Sequence, residues 1–117
     1  MKTILALLLT FGVLSCSETE KSSDPDPEQE VQAMLNSNWL PADGCETHVT
    51  LNWEDPQKQI RYAPDAESVA KVENFVGPQT YQKQGTIKFR LTGRKKTVQC
   101  GWGSKFEADE ITVISIR

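Results

Sequence analysis

Histidine is almost missing from this chain: among 117 residues there is one, His48. Acid–base catalysis and metal binding at neutral pH lean on histidine more than on any other side chain, so its scarcity weighs against both. Cysteine is nearly as scarce, with Cys16, Cys45 and Cys100, and no Cys-x-x-Cys pair occurs. Two cysteines and one distant histidine lack the ligand spacing of a zinc site. Long hydrophobic runs are absent too. The N-terminal apolar stretch Ile4–Leu14 has eleven residues without a charge, well short of the roughly 20 that a spanning helix needs. No catalytic or cofactor motif, internal repeat or second linker stands out, so the expectation is a protein that is not an enzyme and carries no cofactor.

What is present begins with that stretch. One positive charge, Lys2, precedes it, and Val13-Leu14-Ser15-Cys16 closes it. This is the layout of a secretory signal peptide, and the closing tetrapeptide resembles a bacterial lipobox. Residues 1–15 are therefore expected to be removed, and Cys16 to carry a diacylglyceryl group through its sulfur. Residues 17–30 contain no apolar side chain apart from proline, and six acids against Lys21 give a net charge of −5. Such a composition cannot bury enough surface to offset its ordering entropy, so 16–30 reads as the lipidated cysteine followed by a disordered acidic tether. That expectation places the chain in the cell envelope, held to the outer membrane by lipid and facing the periplasm or the cell surface.

Residues 31–117 make up one small domain, with 10 acids and 11 bases among 87 residues. A short helix is expected at Glu28–Leu35, where Val31, Met34 and Leu35 share a face at spacing three and four. Alternation then predicts a strand from Thr47 to Trp53, with His48, Thr50 and Asn52 facing solvent. A second strand follows at Gln59–Tyr62, joined to the first by a four- or five-residue loop. Asp65 is placed to cap a helix from Ala66 to Phe75 that Gly77-Pro78 closes. Thr86–Thr92 is the clearest strand, Gly93-Arg94-Lys95-Lys96 reads as a turn, and Thr97–Trp102 returns. In the last strand, Ile111–Ile116, the apolar phase shifts between Val113 and Ile114, as at a bulge. Five strands with one helical insert suit a mainly β fold, either a small barrel of the OB type or a short sandwich. Its core is expected from Val49, Leu51, Ile87, Phe89, Leu91, Val98, Ile111 and Val113.

Asp43-Gly44-Cys45, the hydrophobic strand, the helical insert, Gly85-Thr86-Ile87-Lys88-Phe89, Cys100-Gly101-Trp102-Gly103 and the final Ile-Thr-Val-Ile-Ser-Ile together resemble a group of small bacterial lipoproteins. The resemblance implies a compact β-barrel tethered to the envelope, and it implies no activity. With Cys16 assigned to lipid, Cys45 and Cys100 remain, and an oxidising compartment makes a bridge between them the expected state. Metal ligation and thiol catalysis are the competing readings of the pair.

Few other residues invite a functional reading. Glu107, Asp109 and Glu110 read as a solvated loop. Of Trp39, Trp53 and Trp102, at least two are expected as core anchors, which leaves Trp102 as a candidate for stacking on a ligand. Arg94, Lys95 and Lys96 are the candidates for a phosphate-bearing partner. The expected partners are the membrane, through lipid on Cys16, and an envelope glycan, glycolipid or protein bound by a monomer. Nucleic acid is not expected. The alternative function is an envelope inhibitor of a lysozyme or protease, with Thr92–Thr97 or Ser104–Asp109 as its protruding loop.

Overall fold

The computed structural model describes residues 27–117; the expected signal peptide, Cys16 and most of the expected tether lie outside them. Five strands close into a barrel in the order β1-β2-β3-β5-β4. They are β1 (Gln29–Asn36), β2 (His48–Leu51), β3 (Ile60–Pro64), β4 (Gln82–Gln99) and β5 (Lys105–Ile116), with the helix α1 (Ala66–Val76) between β3 and β4. All neighbours are antiparallel except β3 and β5, which run parallel with Tyr62 opposite Asp109 and Pro64 opposite Ile111. This is the five-stranded Greek-key barrel of the OB type, not a sandwich.

Residues 28–35 form no helix. β1 pairs along its whole length with β4, from Gln29 opposite Phe89 to Asn36 opposite Gln82, and also with β2. Val31, Ala33 and Leu35 alternate inward, and Ala33 and Leu35 are fully buried. β4 pairs with the β1 backbone along its whole length and β2 with Met34–Asn36 on the other edge, which an isolated turn of helix could not match. β1 thus begins at Gln29, inside the stretch read as tether. Glu28 is tied down as well, by an ion pair with Arg90 at 2.7 Å.

β4 is the second departure from expectation. Gly93–Lys96 is no turn, because the chain stays in one 18-residue strand. The β4–β5 register shifts between Leu91 and Lys95, with Gly93 at φ 88°. A bulge here bends β4, so that its first half pairs with β1 and both halves pair with β5. The reversal comes later, through Gly101-Trp102-Gly103. Thr92–Thr97 and most of Ser104–Asp109 are accordingly strand, not loop, and Glu107, Asp109 and Glu110 lie on β5. The expected irregularity at Ile114 is present: Lys88 pairs with Ser115 and Phe89 with Val113. The β2–β3 connection is longer than expected, running from Asn52 to Gln59.

α1 forms as its sequence signals. The Asp65 carboxylate accepts from the Ser68 amide at 3.0 Å and caps the first turn, while Gly77 at φ 83° ends the helix. The Ser68 hydroxyl accepts from the Val113 amide at 2.7 Å, and the Thr112 hydroxyl donates to Asp65 at 2.7 Å, locking α1 to β5. Val72 and Val76 then close the barrel over Leu35, Val49, Ile87, Phe89, Ile111 and Val113, all buried. Leu51 and Leu91 pack at the margin of this core, half-buried. A second, smaller cluster holds Ala63, Val98 and Ala108, flanked by Cys45 and Phe106. No tryptophan is a core anchor: Trp39 stacks on Tyr81 at 5.0 Å, Trp53 is half-buried, and Trp102 is 90% exposed.

Candidate functional site

Two loops meet at one end of the barrel: the β1–β2 connection, residues 37–47, and the β4–β5 connection, residues 100–104. The Cys45–Cys100 disulfide joins them. Around it the Gly101 amide donates to the Gly44 carbonyl at 2.8 Å and the Glu46 amide to the Gln99 carbonyl at 2.9 Å. Gly101 must be glycine, because a Cβ there would lie 2.6 Å from the Cα of Asp43. The pair of loops that forms the ligand mouth in many OB barrels is therefore fused into one rigid rim.

Trp102 crowns that rim. Its backbone sits in the left-handed region at φ 62°, ψ 22°, between Gly101 and Gly103. For a bulky residue this conformation is uncommon and strained. Lys96 lies further back on β4, with Thr97–Gln99 between it and the tip. The structure does not gather Arg94, Lys95 and Lys96 into an open cationic patch. Arg94 pairs with Glu110 at 2.6 Å and Lys95 with Asp109 at 3.0 Å, while the Lys96 ammonium donates to the Pro64 carbonyl at 2.7 Å. Asp109, accepting the Lys95 hydrogen bond, holds that ammonium above its ordinary pKa. An anion at these cations would have to compete with carboxylates already in place.

The outer face of β1, β2 and β3 carries a groove that the sequence reading did not anticipate. Its floor is Asn36 and Thr50, both buried although they point away from the core. The Asn36 amide donates to the Thr50 hydroxyl and to the His48 and Met34 carbonyls, each at 3.2 Å, and its oxygen accepts from Gln82 at 2.9 Å. Every polar atom of that side chain is thus satisfied. Trp53, Gln59 and Arg61 wall the groove, and the space enclosed is about 330 Å³.

His48 faces this groove and is half-buried, not solvent-facing. Its strand phase is as expected, but Phe106 covers it edge-on at 5.5 Å, and the Arg61 guanidinium lies 3.7 Å from the centre of the same Phe106 ring. Burial pushes the imidazole pKa down; the hydrogen bond to the Glu46 carbonyl works against this, and the Arg61 charge adds to it. Because a carbonyl only accepts, Nδ1 is the nitrogen that carries the proton, at 2.8 Å from that oxygen. In the neutral ring Nε2 is then an acceptor.

Among the described residues no three His, Cys, Asp or Glu side chains gather as a metal site. The alternation of His48, Thr50 and Asn52 marked this outer face in advance. Its other half stayed hidden because β1 carried a helical spacing, and a helix could not set Asn36 beside His48.

No protein-family model matches the chain, and neither a curated protein nor a solved structure matches it significantly.

Proposed function

We propose that this protein is a lipid-anchored recognition module of the cell envelope, without catalytic activity, that meets its ligand through the disulfide-fused rim. The observation that carries the reading is Trp102. An almost fully exposed indole in a strained backbone conformation, held by a bridge and two glycines, costs stability in the isolated domain. Tryptophan with one apolar face and an N–H is also the side chain most enriched at binding hot spots. A partner that covered the indole would offset that cost.

The remaining parts of the proposal come from the sequence. The Ile4–Leu14 stretch and the lipobox-like Val13–Cys16 support lipidation at Cys16, and the acidic segment behind it supports a tether that lets the barrel stand off a membrane. A second reading, an envelope inhibitor of a lysozyme or protease, draws on the same pinned tip at Cys100–Ser104, since inhibitors present rigid protrusions.

Photocrosslinking in cells tests both readings. A benzoylphenylalanine replacing Trp102 is expected to trap a discrete envelope partner, while the same group at Glu67 on α1 traps none. Equal, diffuse labelling from the two positions would overturn recognition by the rim. Inhibition of a lysozyme or protease by the purified chain, lost in Trp102→Ala, would decide for the inhibitor. For the anchor, the full chain is expected in the membrane fraction with an acyl mass increment that Cys16→Ala removes; acyl chains persisting in that variant would sink the assignment.

A further inference from the structure

Trp53 lies at the junction of three adjoining depressions. It lines the groove over Asn36 and Thr50, a second cavity of about 360 Å³ with Gln32, Asn52 and Lys58, and a third of about 210 Å³ with Gln32, Gln84 and Arg117. Together they form an extended trough across the outer face of β1 and its neighbours, ending at His48 and Gln82. Trp102 lines none of the three. We infer that this trough is an oligosaccharide-binding site, with Trp53 as the stacking platform and side-chain amides as the hydrogen-bonding groups, selective for a neutral chain of pyranose units.

The chemistry of the lining supports that ligand. Gln32, Gln59, Gln82, Gln84 and Asn52 set exposed amides along the trough, above the buried amide of Asn36. An amide donates and accepts at adjacent positions, as a sugar hydroxyl does, so a row of amides matches a row of hydroxyls. Gln32, Gln59 and Gln84 are exposed, while Asn36 and Thr50 are buried in a hydrogen-bond network, closed by the Gln82 amide, that holds the floor still. A preorganised floor beneath adaptable polar arms around one flat aromatic is the general plan of a polar ligand site.

Charge separates this reading from the nearest competitor. Of the cations along the trough, Lys58 shares its depression with Glu54 and Asp55, Arg117 is paired with Glu30, and Arg61 lies over the Phe106 ring. A nucleic acid or sulfated chain would need an uninterrupted cationic track. The near balance here disfavours a polyanion and leaves a neutral chain unopposed. His48, its pKa lowered by burial, is neutral at pH 7 and adds an acceptor rather than a charge.

The test uses the full lipidated chain in a polyoxyethylene-ether detergent, because sugar-headed detergents would compete. Hexasaccharides of N-acetylglucosamine, α-glucose, mannose and xylose, each at millimolar concentration, are examined by saturation-transfer NMR and calorimetry. At least one is expected to bind. Trp53→Ala should weaken it by about tenfold or more, the loss that follows removal of a stacking aromatic. The pair Gln32→Ala and Gln59→Ala, at exposed positions outside the core, should weaken it as well, and Trp102→Ala should leave it unchanged. Failure of all four sugars overturns the inference, as does binding that survives both the Trp53 and the glutamine variants. Preference for a heparin-derived oligosaccharide over every neutral one overturns the assignment of a neutral ligand. Loss of binding in Trp102→Ala alone moves the sugar to the rim and away from the trough.

Discussion

At one end of the barrel Leu35, Val49, Ile87, Phe89, Ile111 and Val113 are sealed together with Val72 and Val76 of α1, whereas beneath the rim only Ala63, Val98 and Ala108 are buried. The first end carries the large side chains, and the hydrophobic effect alone can hold it. The second buries two alanines and one valine, too little apolar area to fix two loops. There the disulfide, the backbone bonds around Gly44 and Gly101, and the Arg61–Phe106–His48 stack take over. Small domains compensate a thin core with covalent links, and here the link sits where the core is thinnest.

Changes at each end should separate these two modes of stabilisation. Phe89→Ala empties the packed end and is expected to cost about 3–5 kcal/mol, lowering the melting temperature by more than ten degrees. A loss under about 1 kcal/mol in denaturant titration would mean that Phe89 does not anchor the core.

Replacing Cys45 and Cys100 by serine should cost up to about 4 kcal/mol on the loop-entropy estimate, for a sequence separation of 55. Hydrogen exchange is the sharper readout. The amides of Glu46 and Gly101 should lose more protection than those of Ile87 and Phe89. Uniform loss across the barrel would erase the distinction between the ends, and two free thiols in protein purified without reductant would remove the bridge itself.

Gly101→Ala forces a Cβ into the Asp43 backbone, so about 1–3 kcal/mol should be lost, again with exchange rising first in the rim. An unchanged melting curve would show that the loops part without cost.

Asp65→Ala belongs to the packed end. Burial tends to raise the Asp65 pKa, but hydrogen bonds from Ser68 and Thr112 and the nearby Lys96 charge outweigh it and leave the carboxyl below its ordinary value near 3.8. Its contribution is therefore complete above that pH and fades as pH falls through the lower folded value. The variant should lose about 1 kcal/mol, chiefly as a lost helix cap, and the gap to wild type should close in acid. A gap that stays constant down to pH 2 would exclude the carboxylate.

The smallest effect is expected at His48. Its folded pKa is lowered, so the unfolded chain takes up a proton first as pH falls below the ordinary value of 6.5. Wild-type stability should decline from there until the folded value is passed, and His48→Gln should flatten that slope. An unaltered slope would place the titration elsewhere.

The sequence by itself determined the helix α1, because Asp65 and Gly77 are local signals read by their own neighbours. It also determined most of the core: alternation in β2, in β5 and within each half of β4 turns Val49, Ile87, Phe89, Val98, Ile111 and Val113 inward once the strands pair. The bulge at Ile114 was legible for the same reason, as a broken phase. The tertiary structure decided what depends on partners distant in sequence. β1 holds Val31 and Leu35 at positions that suit both a helix and a strand, and only the edges of β2 and β4 settle it. Gly93–Lys96 has turn composition, yet closure of the barrel draws it into a bent strand. Pairing of β1 with β2 sets Asn36 beside His48 and Thr50, and the β2–β3 loop brings Trp53 to the same trough. A binding face assembled from long-range pairing leaves no local periodicity to read, so it emerges only when the barrel closes.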